Sequence, residues 1–268
     1  MASKYNTTNL IVFDNEILEE KLENQLLTAL DMNQYITVDT SLSATPGMKI
    51  EIHTYHGTGD VEDLAMGAGN TGEIGATYTT ETYEVGTTQG RVPYFDEQQM
   101  NDPTAVDKAI QHLSEQLTND LTKKVVAELK KASNVKTQVS WDFPTIIRAI
   151  ASMPGENHDG LFLLMNEVDG AELTVNLEDH LKYVEGAVRT GYIGSVAGVP
   201  VILTDAVEAG EAFLASKEAV TCFVKKGVEV EQERDANTRK NVVYGRKVMV
   251  VALTNDDKAV RLTTAASV

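Results

Sequence analysis

Apolar residues recur along this chain with two distinct periods. Between 103 and 132, Val106, Ile110, Leu113, Leu117, Leu121, Val125 and Leu129 return every three or four positions. That spacing gathers them on one stripe of an α-helix. Asp102 stands where a side-chain cap belongs, and Pro103 suits a first helical turn. At 1.5 Å per residue such a helix runs roughly 45 Å, longer than most globular helices, a length suited to bracing something extended. Lys123, Lys124, Lys130 and Lys131 fall near its C-terminal end, where they complement the negative pole of the helix dipole. Near the N-terminus, Phe13, Ile17, Leu22, Leu26 and Leu30 predict an amphipathic helix over 12–31.

A shorter period marks strands. MKIEIHTYH (48–56) alternates loosely, and ATYTTETYEV (76–85) is rich in Thr and Tyr, so the pair predicts a long hairpin with a glycine-rich end between them. After the long helix the elements shorten. Phe143, Ile146, Ile147 and Ile150 predict a helix over 142–152, and LFLLM (161–165) reads as a buried strand. Asn176 is expected to cap a helix over 177–189, with Leu181, Val184 and Val188 on one face and Gly191 ending it. VPVILTD (199–205) follows as a strand. The final forty residues return to strands, GVEVEQER, VVYGRKVMVVAL and KAVRL, with the polar turn DANTRKN (235–241) between the first two. Helices and strands thus mix in an α+β pattern without an internal repeat.

Charge narrows the partners. The 268 residues carry 23 Lys and Arg against 40 Asp and Glu, a formal net charge of −17. A chain this acidic repels polyanions, which argues against a grip on DNA by phosphate neutralisation. No apolar run approaches the roughly 18 residues of a membrane helix. The first residues lack the basic-then-apolar order of a signal peptide. Cys222 is the single cysteine, so neither an intrachain disulfide nor a thiolate metal cage can form.

Candidate chemistry is thin. Gly67, Gly69 and Gly72 spell G-x-G-x-x-G, the pattern of a pyrophosphate-binding loop. That loop needs a buried strand before its first glycine and a helix beginning at its third. Here GTGDVEDLA precedes and the β-type EIGATYTTETYEV follows, so the pattern reads as a loop tip. His53 and His56 lie an odd number of residues apart on a strand and point to opposite faces. His112, His158 and His180 have no partner motif, and Ser195 is not in a G-x-S-x-G elbow. Asp235 and Asn237 begin like a calcium loop, but Arg239 occupies the position of a third oxygen ligand. Glu19 with Glu20, and Asp256 with Asp257, read as solvated faces or turns. No nucleophile, base and orienting group assemble, so no catalytic, cofactor or metal site is expected.

The order of these elements — helical arm, glycine-tipped hairpin, long brace helix, α/β lobe, closing strands — resembles the major capsid protein of tailed bacteriophages, the Hong Kong 97-type shell protein. The most specific likeness lies in GYIGSVAGVPVILTD (191–205), similar to a glycine turn entering a strand of the family's axial domain. GVEVEQERDANTRKNVVYGRKVMVVALTNDDKAVRLTT (227–264) is similar to its closing strands. The resemblance implies an N-terminal arm over 1–46, an extended hairpin loop over 47–100 lying across a neighbouring subunit, and a spine helix over 101–137. It further implies an axial domain over 138–226 and peripheral return strands over 227–268.

In function the resemblance implies a structural protein, not an enzyme, that self-assembles as pentamers and hexamers into an icosahedral head enclosing double-stranded DNA. Assembly would take place in the bacterial host cytoplasm, with no cofactor and no membrane. A portal and a separate scaffolding protein, or none, are expected partners, because the arm begins at Met1 with no long leader. Gly67, Gly69 and Gly72 would give the hairpin plasticity. Arg234, Asp235 and Arg239 would make charged contacts between peripheral domains, and Arg91 would meet acids on a neighbour. Some relatives crosslink a hairpin lysine to a neighbouring asparagine; no lysine lies between Lys49 and Lys108 here, so no such crosslink is expected. Two other readings stay open: an encapsulin-like nanocompartment, which would co-purify with cargo enzyme, and a nucleotide-binding enzyme using Gly67–Gly72, which would bind NAD or NADP saturably.

Overall fold

A computed structural model describes residues 32–44, 46–59, 61–64, 66–67, 69–153, 160–177 and 194–264. In chain order the strands and helices are β1 (Thr37–Asp39), β2 (Lys49–Thr58), β3 (Gly75–Glu84), β4 (Gly86–Phe95), α1 (Asp96–Asn101) and α2 (Pro103–Leu129). Next come β5 (Val135–Gln138), α3 (Phe143–Ala151), β6 (Leu161–Met165), α4 (Glu167–Leu177), β7 (Ser195–Val196) and β8 (Val199–Leu203). The chain closes with β9 (Glu211–Ser216), β10 (Val220–Asp235), β11 (Lys240–Leu253) and β12 (Ala259–Thr264).

The strands form three sheets. β2 and β3 stand alone as an antiparallel pair; β1-β10-β11-β4 make a four-stranded sheet; β5-β12-β9-β6-β8-β7 make a six-stranded one. Gly86–Phe95 pairs along its length with β11, from Met249↔Gly86 to Lys240↔Phe95. The protruding part of the expected 47–100 segment therefore ends at Glu84, and residues 86–95 belong to the body.

Helix α2 ties the two larger sheets together. Its start is fixed as the sequence predicts: the Asp102 carboxylate accepts from Thr104 N at 3.0 Å and Thr104 Oγ1 at 2.6 Å, with Pro103 in the first turn. Val106, Ile110, Leu113 and Leu117 pack with Val92, Tyr94, Val230 and Val243 of the four-stranded sheet. One to three turns on, Leu121, Val125, Val126 and Leu129 join a second core with Phe162 and Phe213 of the six-stranded sheet and Val220, Cys222 and Met249 of the four-stranded one. Each such side chain contributes roughly 1.5–3 kcal/mol on burial. Helices α3 and α4 cover the other face of the six-stranded sheet, around Trp141, Ile146, Leu163, Leu173 and Leu214.

One predicted helix start is corrected. Asn176 does not cap a helix; it lies in the last turn of α4, where its Nδ2 donates to the Trp141 carbonyl at 2.6 Å. The capping residue is Asn166, ten positions earlier, whose Oδ1 accepts from Val168 N at 3.0 Å. The remainder of the 177–189 expectation, the 12–31 helix, and His158 and His180 lie outside the described residues.

Candidate assembly surfaces

The β2–β3 hairpin projects as a finger. Its register runs from Lys49↔Glu84 to Thr58↔Gly75. Among the described residues only its root packs on the body: Tyr83 and Val85 are buried against Phe223, Val250 and Ala252, with Ile50, Ile52, Leu42 and Val248 beside them. Polar ties reinforce the root. Val85 N donates to Met48 O at 2.8 Å, and Lys225 Nζ donates to Gly47 O. Tyr83 OH donates to Glu81 Oε2 at 2.6 Å, and Lys131 Nζ lies 5.1 Å from the centre of its ring. Burial, then the hydrogen bond to Glu81, pushes the Tyr83 phenol well above its ordinary pKa. Beyond the root, every β3 residue from Gly75 to Thr82 is exposed. An unsupported two-stranded hairpin is marginal in water. Near its end it also carries apolar side chains into solvent: Val61 is 87% exposed, Met66 107%, Ile74 67% and Tyr78 63%.

The tip is organised without a phosphate cradle. The Glu62 carboxylate accepts from Thr71 N at 2.9 Å and Thr71 Oγ1 at 2.7 Å, which holds its pKa below the ordinary range. No helix begins at Gly72; β3 starts three residues later. The dinucleotide pattern therefore lacks the helix N-terminus it requires. Gly67 has φ +88, but nothing lies within 4 Å of a Cβ built there or at Gly69. Gly67 is thus favoured by its backbone angle alone, whereas Gly59 is required on two counts: it has φ +92, and a Cβ would lie 2.4 Å from the Glu73 carbonyl oxygen. Sequence reasoning missed it, although a glycine closing a strand before a long loop is a usable signal.

The second surface is the β10–β11 turn. Arg234 Nη2 donates to Asp96 Oδ2 at 2.9 Å, and buried Asn241 donates from Nδ2 to Asp96 Oδ1 at 2.6 Å. Arg239 (φ 55) pairs with Glu97 at 2.8 Å, and its carbonyl accepts from Asp96 N at 3.2 Å. Asp235 folds its carboxylate back onto Asn237 N at 2.9 Å and Thr238 Oγ1 at 2.7 Å, which lowers its pKa. Three of the charged contact candidates are thus engaged by the same chain, two of them through α1. Side-chain exposures of 62% for Arg234 and 66% for Arg239 leave guanidinium donors facing outward. Arg91 stands exposed on β4, level with Tyr244 of β11.

Behind that turn a charge ladder crosses β10 and β11. Arg246 Nε donates to Glu229 Oε2 at 2.6 Å and Arg246 Nη2 to Glu231 Oε1 at 2.7 Å, while Lys226 pairs with Glu229 at 2.8 Å. The Arg246 hydrogen bond, followed by that from Lys226, draws the Glu229 carboxyl down to about 2. Among the described residues no three His, Cys, Asp or Glu side chains are grouped to hold a metal, and no helix is long and apolar enough to cross a membrane. Burial pushes the Cys222 thiol up, and Ser195 lies on the short strand β7.

Comparison with known proteins places this geometry. A family model described as phage capsid protein matches residues 78–262. The major capsid protein of Staphylococcus phage phiMR11 is 25% identical over 270 residues, covering 96% of this chain and 94% of that protein. Among solved structures, the mature capsid of bacteriophage PhiM1 superposes with a TM-score of 0.66 at 10% identity, covering 88% of this chain and 87% of that one. The capsid of cyanophage P-SCSP1u gives 0.65 at 12% identity, with 87% of each chain covered. A virus-like particle from Pyrococcus furiosus gives 0.64 at 14% identity, covering 92% of this chain and 98% of that one.

Proposed function

The chain belongs to the phage capsid protein family, and from that premise we propose that the β2–β3 finger is the element by which one copy grips the next. It is a major capsid protein, many copies of which build the phage head shell. The family match decides for the phage shell over the nanocompartment and nucleotide-enzyme readings.

One observation supports the finger's role above the others. Beyond its pairing with β2, the ten-residue strand β3 exposes its residues from Gly75 to Thr82, and Val61, Met66, Ile74 and Tyr78 stand more than half exposed on the finger. Apolar surface of this kind on a protruding element is stabilised when another surface covers it. Each contact is modest, and closure of a symmetric lattice sums many of them. In this reading 1–46 serve as an arm, 101–137 as the spine, 138–226 as the lobe at the capsomer centre and 227–268 as the peripheral return. The outward donors of Arg234 and Arg239, and Arg91 on its edge strand, make secondary contacts between copies.

A net charge of −17 suits a wall that encloses DNA without adhering to it. A portal joins the shell, and a scaffold, where one is used, is a separate protein; assembly takes place in the host cytoplasm. The lack of any lysine between Lys49 and Lys108 leaves the finger no amine beyond its base to crosslink, so cohesion is non-covalent. Negative-stain microscopy of the chain, expressed alone and with its genomic neighbours, tests the reading. Shells or capsomers are the expected result; a compact monomer under every condition contradicts it.

A further inference from the structure

Helix α2 and the six-stranded sheet meet through an apolar contact in which Leu121, Val125 and Leu129 face Phe162, Phe213 and Ala215. Apolar burial is non-directional, so this contact alone leaves the angle between the two bodies soft. Directional hydrogen bonds fix angles, and charged ones do so most firmly.

Such bonds converge at the C-terminal end of α2. Arg261 on β12 donates from Nη2 to Glu211 Oε1 on β9, and from Nη1 to the Lys130 carbonyl at 3.4 Å. Its backbone N–H donates to Asn134 O at 2.9 Å, in the segment that leaves the helix. Lys130 Nζ returns to Glu208 Oε1 at 2.7 Å and approaches Glu211 Oε2 at 3.5 Å. The neighbouring Gly210 N–H donates to Asp169 Oδ2 of α4 at 2.7 Å, and its carbonyl accepts from Thr264 N at 2.8 Å. The chain of contacts thus runs from α4 through the 204–210 loop, β9 and β12 to the end of α2. Arg261 Nε and Glu211 Oε2 are buried there without hydrogen-bond partners. An ion cluster left partly unsatisfied is a weak source of stability, and its value lies in geometry.

We infer that this clasp, centred on Arg261, sets the angle between the spine helix and the six-stranded sheet and so keeps the body of the subunit rigid, leaving shell curvature to the finger and other contacts. The inference rests on the shell reading and adds to it a positioning residue far from the finger. In R261M the volume of the side chain is broadly kept and the fork removed.

Two readouts test it. In unassembled subunits, amide exchange at 126–129 should quicken about tenfold in R261M, because the last turn loses its tie to the sheet. In assembled material, the spread of particle diameters by electron microscopy should widen about threefold, because curvature is set by interface geometry. K123M, at an exposed position of α2 outside the clasp, should leave both readouts at wild-type values. If R261M does not fold, R261Q reads the same two quantities. Wild-type exchange and a single wild-type diameter in the Arg261 variant overturn the clasp. Failure of the wild-type chain to form shells counts against the shell reading instead, and the exchange measurement on free subunits then decides the clasp alone.

Discussion

The finger and the spine helix are of comparable length, about 34 Å for ten strand residues and about 40 Å for the 27 residues of α2. The helix buries a large side chain at nearly every turn, from Val106 at 4% exposure to Leu129 at 0%. On β3 only Tyr83, at the root, is buried. Among the described residues the helix is covered along its length and the finger only at its root, and on the proposed reading that difference separates what makes this subunit fold from what makes it assemble.

The comparison breaks most sharply in the helix. Leu129→Ala or Leu121→Ala should destabilise the free subunit by about 2–5 kcal/mol, read from urea unfolding, because each leaves a cavity between two sheets. Replacing residues 54–79 by a two-residue Asn-Gly turn should do the reverse. The free subunit should keep its urea midpoint, since the root residues Ile50, Ile52 and Tyr83 remain, while shells disappear from sedimentation profiles. Met66→Asp is a milder form of the same test. Subunit stability should change by no more than about 0.5 kcal/mol, and the subunit concentration needed for assembly should rise about tenfold, the equivalent of roughly 1.4 kcal/mol.

The smallest effect concerns pH and lies in the body. Glu229 titrates at about 2 in the folded state, below its ordinary 4.5. A depressed carboxyl contributes stability that is present above its unfolded pKa and is lost as pH falls through the folded one. The urea midpoint should therefore slip between pH 4.5 and about 2, modestly because solvent still reaches the half-buried pair, and E229Q should flatten that slope.

Much of the body was legible because its signals are local. Helix α2 carried its own period, cap and proline, and LFLLM met both ends of β6. The strand β4 was hidden because GTTQGRVPYF alternates poorly and contains Pro93, tolerated at a sheet edge where a missing donor costs little. β9 has almost no polar alternation, since five of its six residues are buried. Asn176 was mistaken for a cap because Asn166 has the same chemistry and the exposed Val168 and Val175 blur the apolar stripe of α4. At the surfaces the charges of Arg234 and Arg239 were visible, but not their partners on α1; Asp96 lies 138 positions from Arg234 in the chain. Composition flagged the glycines at 67, 69 and 72, whereas steric demand falls on Gly59 through a carbonyl no sequence pattern displays.

The central claim is that the finger acquires its cover only from another copy. Cys222, the single native cysteine, is buried, so Y78C places one accessible thiol on the exposed strand. Maleimide labelling should be fast in free subunits and about a hundredfold slower in assembled shells, as cover by a neighbour restricts access. Equal labelling rates in the two states would contradict the account.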